Sequence, residues 1–283
     1  MTKPDNTLRS PLIEDLVGLP AGSLRVLQLT DTHLFADPEE RLLGINTLES
    51  LNLVLECASR TLGPMDLALV TGDLVHDTSA AGYSCLHQRL ATLGIPVYCL
   101  PGNHDEPAIM AKWLEGNPVS APALVEQNNW LIVLLDSKLP GSEGGHLDET
   151  QLAHLESCLA AHPAKHALVC LHHQPVSVGS TWIDTMELDN ADEFFTIIDR
   201  HPQVRGILWG HIHQTYDSKR NGVPLMGTLS TCFQFTPREE GFGIAKEPPG
   251  CRWLVLLPDG TIKTGILQID SMSDTIDLSS TGY

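Results

Sequence analysis

The sequence is short of positive charge. Its 283 residues carry 17 Lys and Arg against 35 Asp and Glu, a formal net charge of −18. Binding along a nucleic-acid backbone needs clustered Lys and Arg that release counterions, and no such cluster occurs, so nucleic-acid partners are excluded. An anionic membrane surface would repel the chain for the same reason. Long apolar runs are missing too: no stretch approaches the roughly 20 apolar residues of a membrane span. Met1 to Ser10 is polar and has no apolar core, so no secretory signal is expected. Cysteine pairs of the Cys-x-x-Cys type are absent. The seven cysteines (57, 85, 99, 158, 170, 232 and 251) are scattered and odd in number. That fits reduced, buried thiols and a cytoplasmic location rather than a disulfide framework. What the chain does have is apolar residues at 42% against 18% charged, enough for a packed core and too apolar for disorder.

Apolar runs and turn signals set out an alternating order. Leu24–Thr30 reads as a buried strand, and Thr47–Thr61 as a helix with Leu48, Leu51, Val54 and Leu55 on one face. A strand at Asp66–Thr71, a helix at Ala80–Leu93 and a strand at Ile95–Leu100 follow, a βαβαβ rhythm that argues for a parallel sheet with covering helices. Further strands are expected at Trp130–Asp136, His166–Leu171 and Val204–Trp209. Helices are expected from Asp148, with Gln151 at capping-box spacing, and over Ala191–Arg200, capped by Asn190 with Glu193. The rhythm then changes. Val223–Thr228, Arg252–Leu257 and Thr261–Ile269 read as strands with no helices between them, the last two joined by a tight turn at Pro258-Asp259-Gly260. The second half is therefore mixed or antiparallel. One domain over residues 22–270, with an N-terminal extension at 1–21 and a mobile acidic tail at 271–283, is the simplest organisation.

Thirteen histidines are present, and six of them sit in polar clusters directly after apolar runs. Asp31-Thr32-His33, Gly72-Asp73, Gly102-Asn103-His104-Asp105, His172-His173 and Gly210-His211-Ile212-His213 each begin where an expected strand ends. Ligand sites in open α/β sheets lie outside the carboxyl ends of the strands, so the five clusters can converge. Their residue types form an oxygen and imidazole set without thiolate, suited to Mn, Fe, Zn or Co. Asp-x-His and His-x-His place two side chains on the same side of an extended segment. Seven good ligands exceed one tetrahedral shell, which points to two ions with Asp73 between them. Gly72, Gly102 and Gly210 permit a sharp strand-to-loop turn.

This ordered set resembles the calcineurin-like metallophosphoesterases, over about residues 24–230. The resemblance implies a metallophosphatase fold of class α/β (α+β). That fold is a four-layer α-β-β-α sandwich of two mixed β-sheets flanked by helices, around a dinuclear centre. Carried over residue by residue, it implies that Asp31, His33, Asp73 and His213 hold one metal ion, and that Asp73, Asn103, His172 and His211 hold the other. His104 matches the family's catalytic histidine, with Asp105 placed to orient it. His33, Asp73, Asn103, His104, His173 and His213 would meet the substrate. Family members that act on phosphoproteins have Asp-Arg-Gly and Gly-Asn-His-Glu in the second and third motifs. Asp73-Leu74-Val75 and Gly102-Asn103-His104-Asp105 depart from both, which disfavours a phosphoprotein substrate.

Segments Ser180–Asp184, Gly210–Gln214 and Ser230–Phe235 look instead like the bacterial class III 3′,5′-cyclic-AMP phosphodiesterases. The implied reaction is hydrolysis of cyclic AMP to 5′-AMP by a hydroxide bridging two ions, Fe or Mn first and Zn or Co as alternatives. Broad phosphodiesterase activity and an inactive scaffold on the same fold are the competing readings; the scaffold is disfavoured because every ligand position is filled. Trp182, Phe233 and Phe235 could stack on a base or simply pack. His173 could contact phosphate or fix a ligand. Neither a monomer nor a homodimer is excluded. The net charge is compatible with a small anionic substrate. Two ions add about +4 to +5 where the first shell supplies only Asp31 and Asp73.

Overall fold

The computed structural model describes residues 15–272 and 274–282. The chain first lays down β1 (Leu24–Leu29), the hairpin β2 (Arg41–Leu42) and β3 (Ile45–Asn46), α1 (Thr47–Leu62), β4 (Leu67–Thr71), α2 (Ala80–Ala91), β5 (Val97–Leu100), α3 (Pro107–Trp113) and β6 (Val119–Ser120). Next come β7 (Leu124–Gln127), β8 (Trp130–Leu134), α4 (Glu149–Ala161), β9 (His166–Cys170), α5 (Thr181–Asp184), α6 (Ala191–Arg200) and β10 (Val204–Trp209). The chain closes with β11 (Tyr216–Arg220), β12 (Val223–Gly227), β13 (Gln234–Phe235), β14 (Ile244–Ala245), β15 (Gly250–Leu256) and β16 (Ile262–Gln268).

Two six-stranded sheets result, in the orders β16-β15-β1-β4-β5-β6 and β11-β12-β10-β9-β8-β7. β1, β4, β5 and β6 are mutually parallel, and β15 joins β1 antiparallel. β8, β9, β10 and β12 are mutually parallel, with β7 and β11 antiparallel at the edges. Both sheets are mixed, as the family resemblance implies; β15 and β16 add antiparallel strands to the parallel sheet that the βαβαβ rhythm suggests. Strands such as β4 (Leu-Ala-Leu-Val-Thr) are buried at every position, because both faces are covered.

The side-chain alternation of β1 builds the layers. Leu27 and Leu29 pack with Leu51, Val54, Tyr83 and Leu86 of α1 and α2, while Leu24 and Val26 face Trp130, Ile132, Leu168 and Leu208 of the second sheet. The other face of the second sheet, Val169 and Ile207, packs with Leu155, Phe194 and Ile198 of α4 and α6. Helix, sheet, sheet and helix are thus stacked around three apolar layers. Each fully buried Leu, Ile or Val contributes about 1.5–3 kcal/mol. Polar groups between the sheets must then be paired. Gln28 donates to Thr71 Oγ1 (2.9 Å) and the Trp209 carbonyl (3.1 Å), and Arg252 donates to Thr228 Oγ1 (3.0 Å) and the Gly227 carbonyl (2.9 Å). These bonds tie the sheets together at the end where β1, β4 and β10 finish.

Of the two helix caps expected from the sequence, the one at Asp148 forms and the one at Asn190 does not. Asn46, Ser79 and Asp148 side chains accept the N–H groups of Glu49, Gly82 and Gln151 (2.8, 3.0 and 2.8 Å), each cap worth about 1 kcal/mol. Asn190 does not cap α6. Its amide instead pairs with both backbone groups of Leu147 (3.0 and 2.8 Å), holding the loop before α4. Of the expected N-terminal extension, residues 1–14 lie outside the described residues; Leu16 is buried against the first core and Asp15 pairs with Lys263 (3.0 Å). In the tail, Asp274 accepts from the Asn46 N–H (2.8 Å) and pairs with Arg41 (2.7 Å), and the Asp277 N–H donates to the Leu43 carbonyl (2.9 Å). Among the described residues, no helix is long and apolar enough to cross a membrane.

Candidate metal centre

The five polar clusters all leave the carboxyl ends of central strands: β1, β4 and β5 in one sheet, β9 and β10 in the other. Because the sheets pack face to face with these ends together, the clusters meet at one point. The local geometry is not the extended one that the Asp-x-His and His-x-His spacing suggests. Asp31, His33, Asp73, His211 and His213 all have positive φ, at 54°, 44°, 51°, 64° and 43°. Non-glycine residues rarely adopt this region, and such strain concentrates at functional sites. It is held in place by backbone bonds: the N–H groups of Asp31 and His33 donate to the carbonyls of Gly72 and Asp73 (3.0 and 2.9 Å). Gly72 has the expected turn geometry, with φ at 94°. Gly102 and Gly210 act differently. Neither has positive φ; a Cβ on Gly102 would collide with Asp73, and one on Gly210 with Thr30 and Asp31.

Asp31, His33, Asp73, His172, His173, His211 and His213 are all buried. The Asp31 carboxylate accepts the His211 N–H (3.1 Å) and lies 3.3 Å from His213 Nε2. His213 Nδ1 is bonded to the Phe233 carbonyl (2.8 Å), and His172 Nδ1 to the Thr71 carbonyl (2.8 Å). A carbonyl can only accept, so each Nδ1 carries a proton, and Nε2 is the nitrogen whose lone pair a metal ion would take. The lone pair of His213 faces Asp31 Oδ1 and, at 3.3 Å, His33 Nε2. That of His172 faces Asp73 Oδ2 at 3.3 Å and Asn103 Oδ1 at 3.1 Å. Asp73 Oδ2, His173 Nε2 and both ring nitrogens of His211 are buried with no hydrogen-bond partner. Electron-pair donors facing one another inside a protein call for a proton or a cation between them.

The electrostatics separate His172 from the other rings. Burial pushes His33 and His211 well below the usual histidine range, favouring neutral, ligating imidazoles. Burial, then the neighbouring His172, lowers His173 to about 3. Burial opposes a charge on His172 also, but Asp73 outweighs it and raises that ring to about 9. Burial would raise Asp73, yet His172, His104 and His33 together hold it well below the usual carboxylate range. Four compact groups bring ligand atoms together: Asp31 with His33 and His213, Asp31 with Asp73 and His172, His172 with His173 and His211, and His33 with His76 and His104.

His104 lies at the rim. It stacks on His76 (4.6 Å between ring centres) and meets His33 edge-on (5.0 Å). Asp105 does something other than orient it. The Asp105 carboxylate accepts the N–H groups of Leu74 (3.0 Å), Val75 (3.2 Å) and Gly102 (2.9 Å) and the Tyr83 hydroxyl (2.8 Å), so it fastens the second cluster to the third. Burial, with Asp73 nearby, raises it to about 6.

A sequence model of the calcineurin-like phosphoesterases matches residues 24–215. The chain belongs to the calcineurin-like phosphoesterase family. It is 41% identical to the 3′,5′-cyclic adenosine monophosphate phosphodiesterase CpdA of Escherichia coli (strain K12), over 96% of this chain and 100% of that protein. The CpdA protein of Pseudomonas aeruginosa is 39% identical over 92% and 96%. A 3′,5′-cyclic-nucleotide phosphodiesterase of Nostoc sp. is 41% identical over 87% and 92%. Among solved structures, a dimetal phosphatase from Danio rerio superposes with a TM-score of 0.59 at 15% identity, covering 87% of this chain and 99% of that one. At that identity the likeness is one of fold, and it confirms the metallophosphatase architecture.

Calcineurin-like phosphoesterases use a dinuclear metal centre, and the His and Asp groups of this chain fit one. Some neighbours of the site were not legible in the motifs. His76 sits with Nδ1 3.2 Å from His33 Nδ1. Ser137 Oγ is 2.8 Å from His173 Nδ1, and Glu143 accepts from Asn103. Closeness to the second cluster leaves His76 ambiguous in the sequence; Ser137 and Glu143 come from the stretch that runs into the Gly-rich loop Gly141 to Gly145. The aromatic residues resolve toward packing. Phe233 and Phe235 are fully buried behind His213 (4.7 and 4.4 Å between rings), and Trp182 meets Phe235 edge-on (4.8 Å). The segment Ser230–Phe235 fixes ligands: Ser230 Oγ donates to the Asp31 carbonyl, and the Phe233 carbonyl holds His213.

Proposed function

We propose that this protein hydrolyses 3′,5′-cyclic AMP to 5′-AMP. Asp31, His33, Asp73 and His213 hold one ion, and Asp73, Asn103, His172 and His211 the second. The observation that carries the reading is the buried Asp73 Oδ2, unpartnered and shared between the imidazoles of His172 and His33 (3.3 and 3.7 Å). The names of relatives at about 40% identity over nearly the whole chain supply the substrate. When bound, two ions supply Lewis acidity at the phosphate oxygens and acidify the attacking water. The nitrogen and oxygen donor set suits Fe, Mn, Zn and Co alike; the family resemblance puts Fe or Mn first.

The chain's own residues do the rest. The His104 ring, at the edge of the cluster beside His33 and His76, stabilises charge on the phosphate oxygens together with the Asn103 amide. His104 Nε2 delivers a proton to the departing 3′ oxygen. Its stack on His76 keeps the ring at the rim, and burial holds His76 near 4, so His76 adds no competing charge at neutral pH. All seven cysteines are free thiols, which supports a reducing, cytoplasmic setting.

The test compares kcat/KM for cyclic AMP, cyclic GMP and bis-p-nitrophenyl phosphate on metal-loaded protein. Cyclic AMP should be preferred. Equal rates on all three would replace this reading with a broad phosphodiesterase.

A further inference from the structure

The loop between β8 and α4 grips the third cluster at two points. Lys138 Nζ donates to the Asn103 carbonyl (2.9 Å) and to the Asp105 carbonyl. Glu143 Oε2 accepts the Asn103 side-chain N–H at 2.6 Å. The loop is itself anchored. Lys138 and Gly145 form an antiparallel bridge, Gly145 lies directly against the His173 ring, and Ser137 bonds that ring.

Asn103 is the one amide in the proposed ligand set, and its two ends differ in kind. Its Oδ1 offers lone pairs and its Nδ2 offers only N–H groups, so one orientation can hold a cation and the flipped one cannot. Oδ1 faces His172 Nε2 at 3.1 Å, on the side of Asp73. Nδ2 faces Glu143. A carboxylate only accepts, so its hydrogen bond is compatible with one orientation alone, and the charge strengthens it. The side chain of Glu143 is 66% exposed, so it is not there for packing.

We propose that Glu143 is a positioning residue: it selects the orientation of the Asn103 amide in which Oδ1 faces the second metal ion. The proposal rests on the assignment of Asn103 as a ligand made above, and deepens it. His104 Nε2 lies 4.0 Å from the same carboxylate oxygen, so one exposed Glu also stands beside the catalytic histidine.

Metal titration tests this without any substrate. Metal-free protein is titrated with Mn²⁺, and the affinities of the two ions are read by calorimetry. Glu143→Ala should weaken one ion by about 10–100-fold and leave the other unchanged, the range seen when a group that orients a ligand is removed. Glu143→Gln keeps a neutral acceptor and should bind that ion more tightly than Glu143→Ala. In an Asn103→Asp background both ends of the side chain are oxygen, so adding Glu143→Ala should cost no affinity. Wild-type affinities in Glu143→Ala would overturn the proposal, as would the same loss with Asn103 and with Asp at that position. Failure of the wild-type protein to turn over cyclic AMP while these titrations behave as expected would overturn the substrate reading alone.

Discussion

The Oδ2 atom of Asp73 lies 3.3 Å from Nε2 of His172, whose other nitrogen is already bonded to the Thr71 carbonyl. Two electron-pair donors face each other in a buried place. Only a proton or a cation between them makes the arrangement stable. Asp73 also reaches His33 at 3.7 Å, so its carboxylate touches an imidazole of each proposed ligand set.

Asp73→Asn keeps the shape and removes the charge. The protein should retain fewer than two ions per chain after dialysis, measured by elemental analysis. Two retained ions would contradict a bridging role.

Metal binding should release protons. Without a cation His172 titrates near 9, because Asp73 outweighs its burial. Below that pH the ring carries a proton that a metal ion must displace. Calorimetry at pH 7.5 in buffers of different ionisation enthalpy should therefore show about one proton released from His172, and the release should fade above about pH 9. No release at pH 7.5 would contradict the assignment of His172 as a ligand.

His104→Ala should lower kcat by roughly 10²–10⁴, the usual contribution of a general acid, with both ions still bound. Steady-state rates paired with metal analysis check this. A kcat near that of the wild type would remove His104 from the proton-transfer role.

Asp105 anchors loops rather than His104, and stability separates the two roles. Asp105→Ala strands the N–H groups of Leu74, Val75 and Gly102 and the hydroxyl of Tyr83. At about 1–3 kcal/mol for an unsatisfied buried donor, partly relieved by water, the loss should be about 3–5 kcal/mol. Urea unfolding of the metal-free protein measures it. Unchanged stability with reduced kcat would restore the orienting role.

Much of this was legible from residues alone. β4, β5, β9 and β10 announce themselves as apolar runs ending in Asp, Asn or His, and the parallel order puts those ends together. The edge strand β11 (Tyr-Asp-Ser-Lys-Arg) was not legible, because its burial alternates weakly and its residues are polar. The left-handed geometry at Asp31 and His33 was hidden as well. It depends on backbone bonds to Gly72 and Asp73, some 40 residues away. Asp105 differs from expectation for a related reason: adjacency in sequence to His104 implies contact, while the fold turns its carboxylate toward the second cluster. Glu143 lies in a loop, Gly141 to Gly145, whose glycines mark it as a loop but not as part of the site, and Ser137 precedes it. Only the fold brings them to Asn103 and His173.

The most direct test of the central claim is incubation of metal-reconstituted wild-type protein with 3′,5′-cyclic AMP and chromatographic identification of the product. The account predicts turnover to 5′-AMP, abolished by chelation and restored by Mn²⁺ or Fe²⁺. Formation of 3′-AMP, or no turnover with two ions bound, would contradict it.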